Sequence, residues 1–434
     1  MLKERIELLC KKKQISRRDL VEGLVTQSHF ANILAGRYPF ADDLAEHIAG
    51  RLGVPITYLT NAAADDEQTM ERAERIFQTM SGQAVSESYV DAQEDRDDTI
   101  VVELTTSLMK AVYYQQMNNQ AAYDYLHQSY LNHYLEKYGI ADDVDVPLPL
   151  KKALLLYKVQ YYRSKGRYYD VLNDVNRLSG LVEAGTEIWL TAQNIRMEAY
   201  VLLKQFEQAK QVFEQTMRQI VDDRLFHRLS GLYVAYSGYC FAMGLVQEAL
   251  RALSMAEANL VYLEQPGEVV TTIMNNRIVM LTMTGEPDKA LEEIVRFEAM
   301  IANEPEESRQ LLEPVTTIYR CEAAFAQRNW GLLLQGIERL RICHTGTDQK
   351  MALDFYESQL ALAQGDMETF QTRALECLPY FESTGHAMRL EQLYESLAVV
   401  SEEGRRYKES SIYYRKLVYL LRNNGGNGGA SGQI

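Results

Sequence analysis

The sequence predicts an all-α protein: a small N-terminal bundle of five short helices followed by a right-handed solenoid of helix hairpins. Three observations predict it. Short turn signals recur in steps of roughly 40 residues, the period of helical repeat arrays; they fall at Lys165-Gly166, Lys204-Gln205, Met243-Gly244, Thr284-Gly285, Arg328-Asn329, Gln364-Gly365 and Glu403-Gly404. After most turns comes an apolar residue and then a small one: Phe206 and Ala209, Val246 and Ala249, Pro287 and Ala290. Proline is scarce, 9 in 434 residues, and no sustained β-branched alternation argues for a sheet.

Composition bounds the function. Hydrophobic residues make up 47% of the chain, enough to bury a core through most of its length. The net charge is −15 but uneven: residues 1–60 carry nine Lys/Arg against seven Asp/Glu, a formal +2, which leaves −17 for the rest. A mildly basic head on an acidic body suits a head that touches DNA and a body that stays off it. The five cysteines, Cys10, Cys240, Cys321, Cys343 and Cys377, are scattered, odd in number and without zinc spacing, so buried free thiols are expected. With no apolar leader and no 18-residue apolar run, a cytoplasmic location is expected.

The head divides into five helices. Leu2, Ile6, Leu9 and Cys10 share one face of the first. Ser16 caps a second over Arg17–Glu22, and Gly23 ends it. Thr26 caps a third, Gln27–Ala35, which Gly36 stops. A fourth covers about Ala41–Leu52 before Gly53, and a fifth turn follows Pro55. This stretch resembles the Cro/C1-type helix-turn-helix domain in Ile6 and Leu9, Ile15-Ser16 with Leu20-Val21, Ser28, Ile33 and Gly36-Arg37, and Leu44, Ile48-Ala49 and Leu52-Gly53-Val54. It departs from that pattern at Arg17 and at Leu34-Ala35. The resemblance implies that the third helix enters the major groove, where Gln27, Ser28, His29 and Asn32 would meet base edges. Arg17, Arg18 and Arg37 would neutralise phosphates.

Residues 61–99 read as a polar joint with one linker helix, in which Met70, Ala73, Ile76, Phe77 and Met80 keep helical spacing, followed by a loop-like or weakly helical stretch. Residues 100–422 read as the repeat domain, about eight helix pairs. The first pair turns near Asn118-Asn119, and a Pro-containing loop follows over 138–149. Regular units are then expected at about 148–180, 187–221, 227–262, 267–303, 309–342, 349–381 and 386–422. The 309–342 unit has Leu333 where the others have a small residue, and the last turn has one extra residue before Tyr407. The Gly-rich tail, 423–434, is expected to be disordered.

The order of turn, apolar residue and small residue resembles the tetratricopeptide unit. That resemblance implies a concave groove lined by the first helix of each pair. Counting back ten residues from the turn places Asn194 and Asn275 on that wall, with Val234 and Phe355 at the same position in other units. Counting back six places Gln160, Glu198 and Glu322. Asparagine donates and accepts at once, which suits the backbone of an extended peptide. Val234 and Phe355 suit its side chains, and Arg163, Arg277 and Arg320 nearby suit a carboxylate. For each asparagine the alternative is an ordinary interhelical hydrogen bond. The tyrosines Tyr161, Tyr162, Tyr168 and Tyr169 read as packing.

A Cro-like head, a linker helix and about eight such units together resemble the RNPP family of quorum-sensing receptors, the NprR, PlcR, PrgX and Rgg type. The resemblance implies a cytoplasmic homodimer that binds operator DNA and a short linear signalling peptide. Asn194 and Asn275 match the groove asparagines of that family. The apolar C-terminal units (Tyr394, Leu397, Tyr413, Tyr414, Tyr419) are the expected dimer contact. The alternative is a Rap-like receptor that sequesters or dephosphorylates a response regulator through residues 65–138, where Gln68 or Gln78 would position water. No phosphate loop, dinucleotide fingerprint, nucleophile elbow or metal-ligand spacing of the seven histidines occurs. No catalytic residue, metal or cofactor is therefore expected.

Overall fold

Helix α1 (Leu2–Lys13) buries two faces rather than one. Ile6 and Cys10 enter the core of the head, while Arg5 and Leu8 are buried on another side and Leu9, expected inside, is half-buried. The structure, a computed structural model, describes residues 2–81, 85, 87–94, 96–117, 119–138, 146–264, 267–303, 306–343, 346–384 and 386–425. Most of the loop expected over 138–149, Asn118 of the expected turn, and the tail from 426 onward lie outside them. The described residues contain no strand. They form two compact units, Met1–Ala199 and Tyr200–Ile434.

In the first unit the head continues with α2 (Arg17–Val21), α3 (Gln27–Leu34), α4 (Asp42–Leu52) and α5 (Thr57–Thr60). The caps act as the sequence implies: Ser16 Oγ accepts the Asp19 N–H at 3.1 Å and Thr26 Oγ1 accepts the His29 N–H at 3.2 Å. Gly53 ends α4 in the left-handed region, φ 60°. Ile6, Leu20, Phe30, Ile48 and Leu52 are buried together. Burial of side chains of this size is worth about 1.5–3 kcal/mol each, which offsets the ordering of so small a bundle.

The expected polar joint is mostly structured. Helix α6 (Glu67–Met80), capped by Asp66, is followed by the short α7 (Glu87–Ala92) and by α8 (Ile100–Gln116). Ala73 and Phe77 of α6 pack with Ile100, Val101, Leu104 and Leu108 of α8 in one core that also takes Leu8 from the head. Helix α8 is buried on every side, so even its Glu103, Thr105, Thr106, Ser107 and Lys110 are inside. Helix α9 (Gln120–Leu126), a π-helical turn (His127–Leu131) and α10 (Asn132–Tyr138) complete this bundle. The repeats then begin with α11 (Leu148–Ser164), α12 (Tyr168–Ser179) and α13 (Glu187–Leu202).

The second unit continues with α14 (Phe206–Asp222), α15 (Leu229–Ala242), α16 (Val246–Ala258), α17 (Gly267–Met283), α18 (Pro287–Ile301), α19 (Glu306–Ala326), α20 (Trp330–Cys343), α21 (Thr347–Gln364), α22 (Met367–Thr384), α23 (Ala387–Glu403) and α24 (Tyr407–Gly425). In chain order, helices α11 to α24 fall in the seven pairs expected from the turns. Each turn has one residue at positive φ: Gly166, Lys204, Gly244, Gly285, Arg328, Gly365 and, after the extra residue, Arg405. The small residues Ala209, Ala249 and Ala290 are fully buried. The α19/α20 pair solves its missing small residue one turn later. A Cβ on Gly336 would lie 2.5 Å from Cys321 Sγ, so the close approach is made at Gly336 while Leu333 fills the core.

Candidate functional site

The first surface is the exposed side of α3. Phe30, Ile33 and Leu34 hold the helix to the core. This leaves Gln27, Ser28 and His29 in solvent and Asn32 half-buried. The His29 ring lies beside the exposed Tyr38 ring, centroids 5.2 Å apart. Arg37 donates to Asn32 Oδ1 at 3.2 Å. Arg18 is exposed, whereas Arg17 is ion-paired to Glu7 of α1, so part of its charge is already neutralised. Arg51, which the sequence did not single out, clamps α2. Its Nη1 donates to Leu20 O at 2.8 Å and Asp19 O at 3.1 Å, and its Nη2 donates to Glu22 O at 2.8 Å. A basic residue in the last turn of α4 was the only signal for it.

The expected groove residues of the first unit come together. Arg163 donates to Gln160 Oε1 at 2.9 Å and to Glu198 Oε2 at 2.6 Å, linking α11 to α13. Tyr168 lies in the field of this pair; burial pushes its phenol up, Glu198 adds to the rise and Arg163 opposes it. One turn from Glu198, Asn194 Oδ1 is buried and has no hydrogen-bond partner. A buried unsatisfied carbonyl is costly, and a ligand N–H would satisfy it.

In the second unit Asn275 is already engaged. Its Oδ1 accepts the Tyr319 hydroxyl and its Nδ2 donates to Asn276 Oδ1 at 3.2 Å. Val234 is half-buried. Glu322 accepts the Tyr356 hydroxyl, and Arg389 stands 3.8 Å away. The Arg389 cation lies 5.3 to 5.8 Å from the rings of Phe355, Tyr356 and Phe381. Tyr319, Tyr356 and Arg389 are partners that sequence reasoning missed, because nothing in helical spacing marks them.

Three expectations need correction. Phe355 is 1% exposed and packs edge-on against Phe325 and Phe381, so it offers no surface to a ligand. Arg163 is paired with Glu198 at 2.6 Å, Arg277 bridges Glu257 at 2.9 Å and Glu293 at 3.4 Å, and Arg320 grips Glu298 with two nitrogens; none of the three guanidiniums is available to a foreign carboxylate without losing a pair. Tyr394 and Leu397 are core residues, because α24 covers them, and the exposed apolar side chains of α24 are Tyr407, Ile412, Tyr414, Val418, Tyr419 and Leu421. Among the described residues no group of three His, Cys, Asp or Glu could hold a metal, no disulfide forms among the cysteines, and no helix is long and apolar enough to cross a membrane.

No protein-family model matches the chain, and no curated protein sequence does. Solved structures do. A Rap protein complexed with competence and sporulation factor is similar at 14% identity and TM-score 0.52, over 83% of this chain and 99% of that one. The apo form of RapI is similar at 12% identity and TM-score 0.51, over 84% and 100%. PlcR of Bacillus thuringiensis, in complex with the peptide PapR7 and DNA, is matched at TM-score 0.32, a likeness too slight to carry an argument. The chain therefore has the all-α, tetratricopeptide-like fold of the Rap proteins.

Proposed function

We propose that the protein is a peptide-responsive transcription regulator of the RNPP type, a cytoplasmic homodimer without catalytic activity, metal or cofactor. The head reads operator DNA with α3, and the repeats take a short linear peptide that changes DNA affinity. The observation that carries this reading is α3 itself. It is capped and anchored from one side and presents Gln27, Ser28 and His29 freely on the other, with Arg18 and Arg37 flanking them. Exposed amide, hydroxyl and imidazole groups between two arginines fit base edges between two phosphate strands.

The peptide half is supported by the fold shared with a Rap protein solved with competence and sporulation factor. It is supported also by the unpartnered Asn194 Oδ1 beside the Gln160–Arg163–Glu198 chain. The second reading, Rap-like contact with a response regulator through residues 65–138, draws on the same likeness. Against it, Gln78 donates to Glu74 of its own helix at 2.7 Å, and Leu8 of the head packs into the core of that bundle.

The test is selection of genomic DNA fragments by the purified protein, followed by footprinting. A protected site with half-sites about 34 Å apart, or a multiple of that, is expected. No enrichment, together with binding to a phosphorylated response regulator, would replace this reading with the second one.

A further inference from the structure

The head is joined to the α6–α10 bundle through the chain at residues 62–66 and through a contact centred on a charge pair 98 residues apart in sequence. Arg5 is 0% exposed and Glu103 1%. Arg5 Nη2 lies 3.1 Å from Glu103 Oε2 and 2.9 Å from Asp97 O, and its Nη1 donates to Tyr58 O at 2.7 Å and to Asp98 O at 2.5 Å. The guanidinium also stacks 3.8 Å from the centre of the Tyr58 ring. Arg5 Nε is buried without a partner among the described residues, whereas both oxygens of Glu103 are engaged. Its Oε1 accepts the Tyr58 hydroxyl at 3.0 Å and the Tyr130 hydroxyl at 2.6 Å, and its Oε2 accepts the Asp97 N–H at 3.0 Å. Around this pair, Leu8 enters the bundle core and the His133 Nε2–H donates to Glu4 O at 3.1 Å.

By contrast the covalent connection is slight. Ala62 is buried in the bundle core and its O accepts the Ile100 N–H, but Ala63, Asp65 and Asp66 are exposed and Ala64 bonds locally to Asn61 O. We infer that the Arg5–Glu103 pair, rather than the chain at 62–66, holds the head on the bundle, and that Glu103 is the positioning residue for α3. A buried pair cannot be half broken: removing either charge leaves the other buried and uncompensated, along with the donors and acceptors that the lost one satisfied. The contact therefore acts as a latch with two states, closed or open, and not as a graded hinge. A signal that moves α3 must move α8 with it or open the latch. The consequence for DNA rests on the proposed function; the latch itself does not.

The experiment inserts a site for a sequence-specific protease between Ala64 and Asp65 of the full chain. The cut protein is then run on a sizing column. The expected result is that residues 1–64 stay with the remainder after cutting. In Glu103→Gln the head should be released, its affinity for the body weakened by roughly a hundredfold or more. Arg5→Lys, which keeps the charge but loses the planar fork, provides the same comparison if Glu103→Gln does not fold. A parent head that leaves on cutting, or a variant head retained as tightly as the parent's, overturns the latch. A second readout uses operator DNA with its half-sites moved by half a helical turn. The uncut parent should lose binding and the latch variant keep it, because a freed head tolerates the wrong spacing. A variant as strict as the parent overturns the positioning role. Failure to find any operator would count against DNA binding, while the cleavage result would still decide the latch.

Discussion

Arg163 and Glu198 are joined by an ion pair at 2.6 Å that ties α11 to α13 on the wall where the repeat pattern places ligand contacts. Both side chains remain partly exposed, 33% and 41%. An ion pair of that exposure adds about 0–1 kcal/mol to stability. Arg163→Ala is therefore expected to shift the melting temperature little. If the pair serves a peptide, the same change should weaken peptide binding by tenfold or more, about 1.4 kcal/mol. Melting and calorimetry on one preparation check both. A large loss of stability with unchanged peptide affinity would make the pair structural.

The hydrogen bond from Arg37 to Asn32 Oδ1 couples a phosphate-type residue to a base-type residue. His29→Ala and Asn32→Ala should each cost roughly 1–3 kcal/mol of base discrimination. Arg37→Ala should weaken binding to all sequences and flatten the salt dependence. Because the two touch, Asn32→Ala and Arg37→Ala together should be non-additive by about 0.5 kcal/mol or more. Mobility shifts across sequence variants and salt concentrations test this. Strict additivity would show that the contact is not kept on DNA.

Burial holds the His127 and His386 pKa values below the ordinary histidine range, with Arg389 adding to the effect at His386. His127 Nδ1 lies 2.8 Å from the Tyr157 hydroxyl, within hydrogen-bonding distance. The fold thus prefers both rings neutral. Their contribution is complete above the unfolded value of about 6.5 and is lost as pH falls through it toward the lowered folded values. The melting temperature is expected to fall as pH drops below about 6.5. The double variant His127→Gln/His386→Gln should flatten that slope. An unchanged slope would assign the loss to other groups.

Helix α24 exposes Tyr407 at 65% and Tyr419 at 70%, and Ile412, Val418 and Leu421 are exposed along it as well. A terminal repeat that stays monomeric needs a polar outer face, and this one sets those apolar side chains among the exposed Lys408, Glu409, Arg415 and Lys416. Tyr407→Glu with Tyr419→Glu is expected to convert a dimer to a monomer in light scattering while costing no more than about 0.5 kcal/mol in stability, as exposed positions do. A parent that is monomeric at the concentrations used, or a variant that stays dimeric, contradicts the assignment. Truncation is a poorer test, because removing α23 and α24 would uncover the core around Phe381 and Leu378.

The repeats were legible because each pair needs a left-handed residue at its turn, and glycine marks four of the seven. Lys204, Arg328 and Arg405 adopt the same conformation without that mark, and only the period reveals them. The head was legible through its caps and glycines. The joint was legible in its linker helix, where the spacing of Met70, Ala73, Phe77 and Met80 marks α6, but not in what that helix packs on. Helix α8 lacks amphipathic contrast because it is buried all round, and Arg5 reads as a solvated charge on an amphipathic helix until its partner 98 residues later is known. The groove was half legible. Spacing places Gln160, Asn194 and Glu198, but only coordinates reveal that Asn194 Oδ1 is unpartnered while Asn275 is bound to Tyr319.

That difference between the two asparagines gives the most direct test of a peptide receptor that acts on DNA. A synthetic peptide selected from a library of short linear peptides by binding to the parent is titrated calorimetrically into the parent, Asn194→Ala and Asn275→Ala. The same proteins are run on operator DNA with and without it. Asn194→Ala is expected to lose peptide affinity by tenfold or more, and Asn275→Ala by less, since its carbonyl already serves Tyr319. Peptide-free DNA affinity should be unchanged in both. Saturating peptide should shift the parent's DNA affinity by a coupling of about 1–3 kcal/mol. Peptide binding that survives Asn194→Ala intact, or saturating peptide that leaves DNA affinity untouched, would contradict the mechanism.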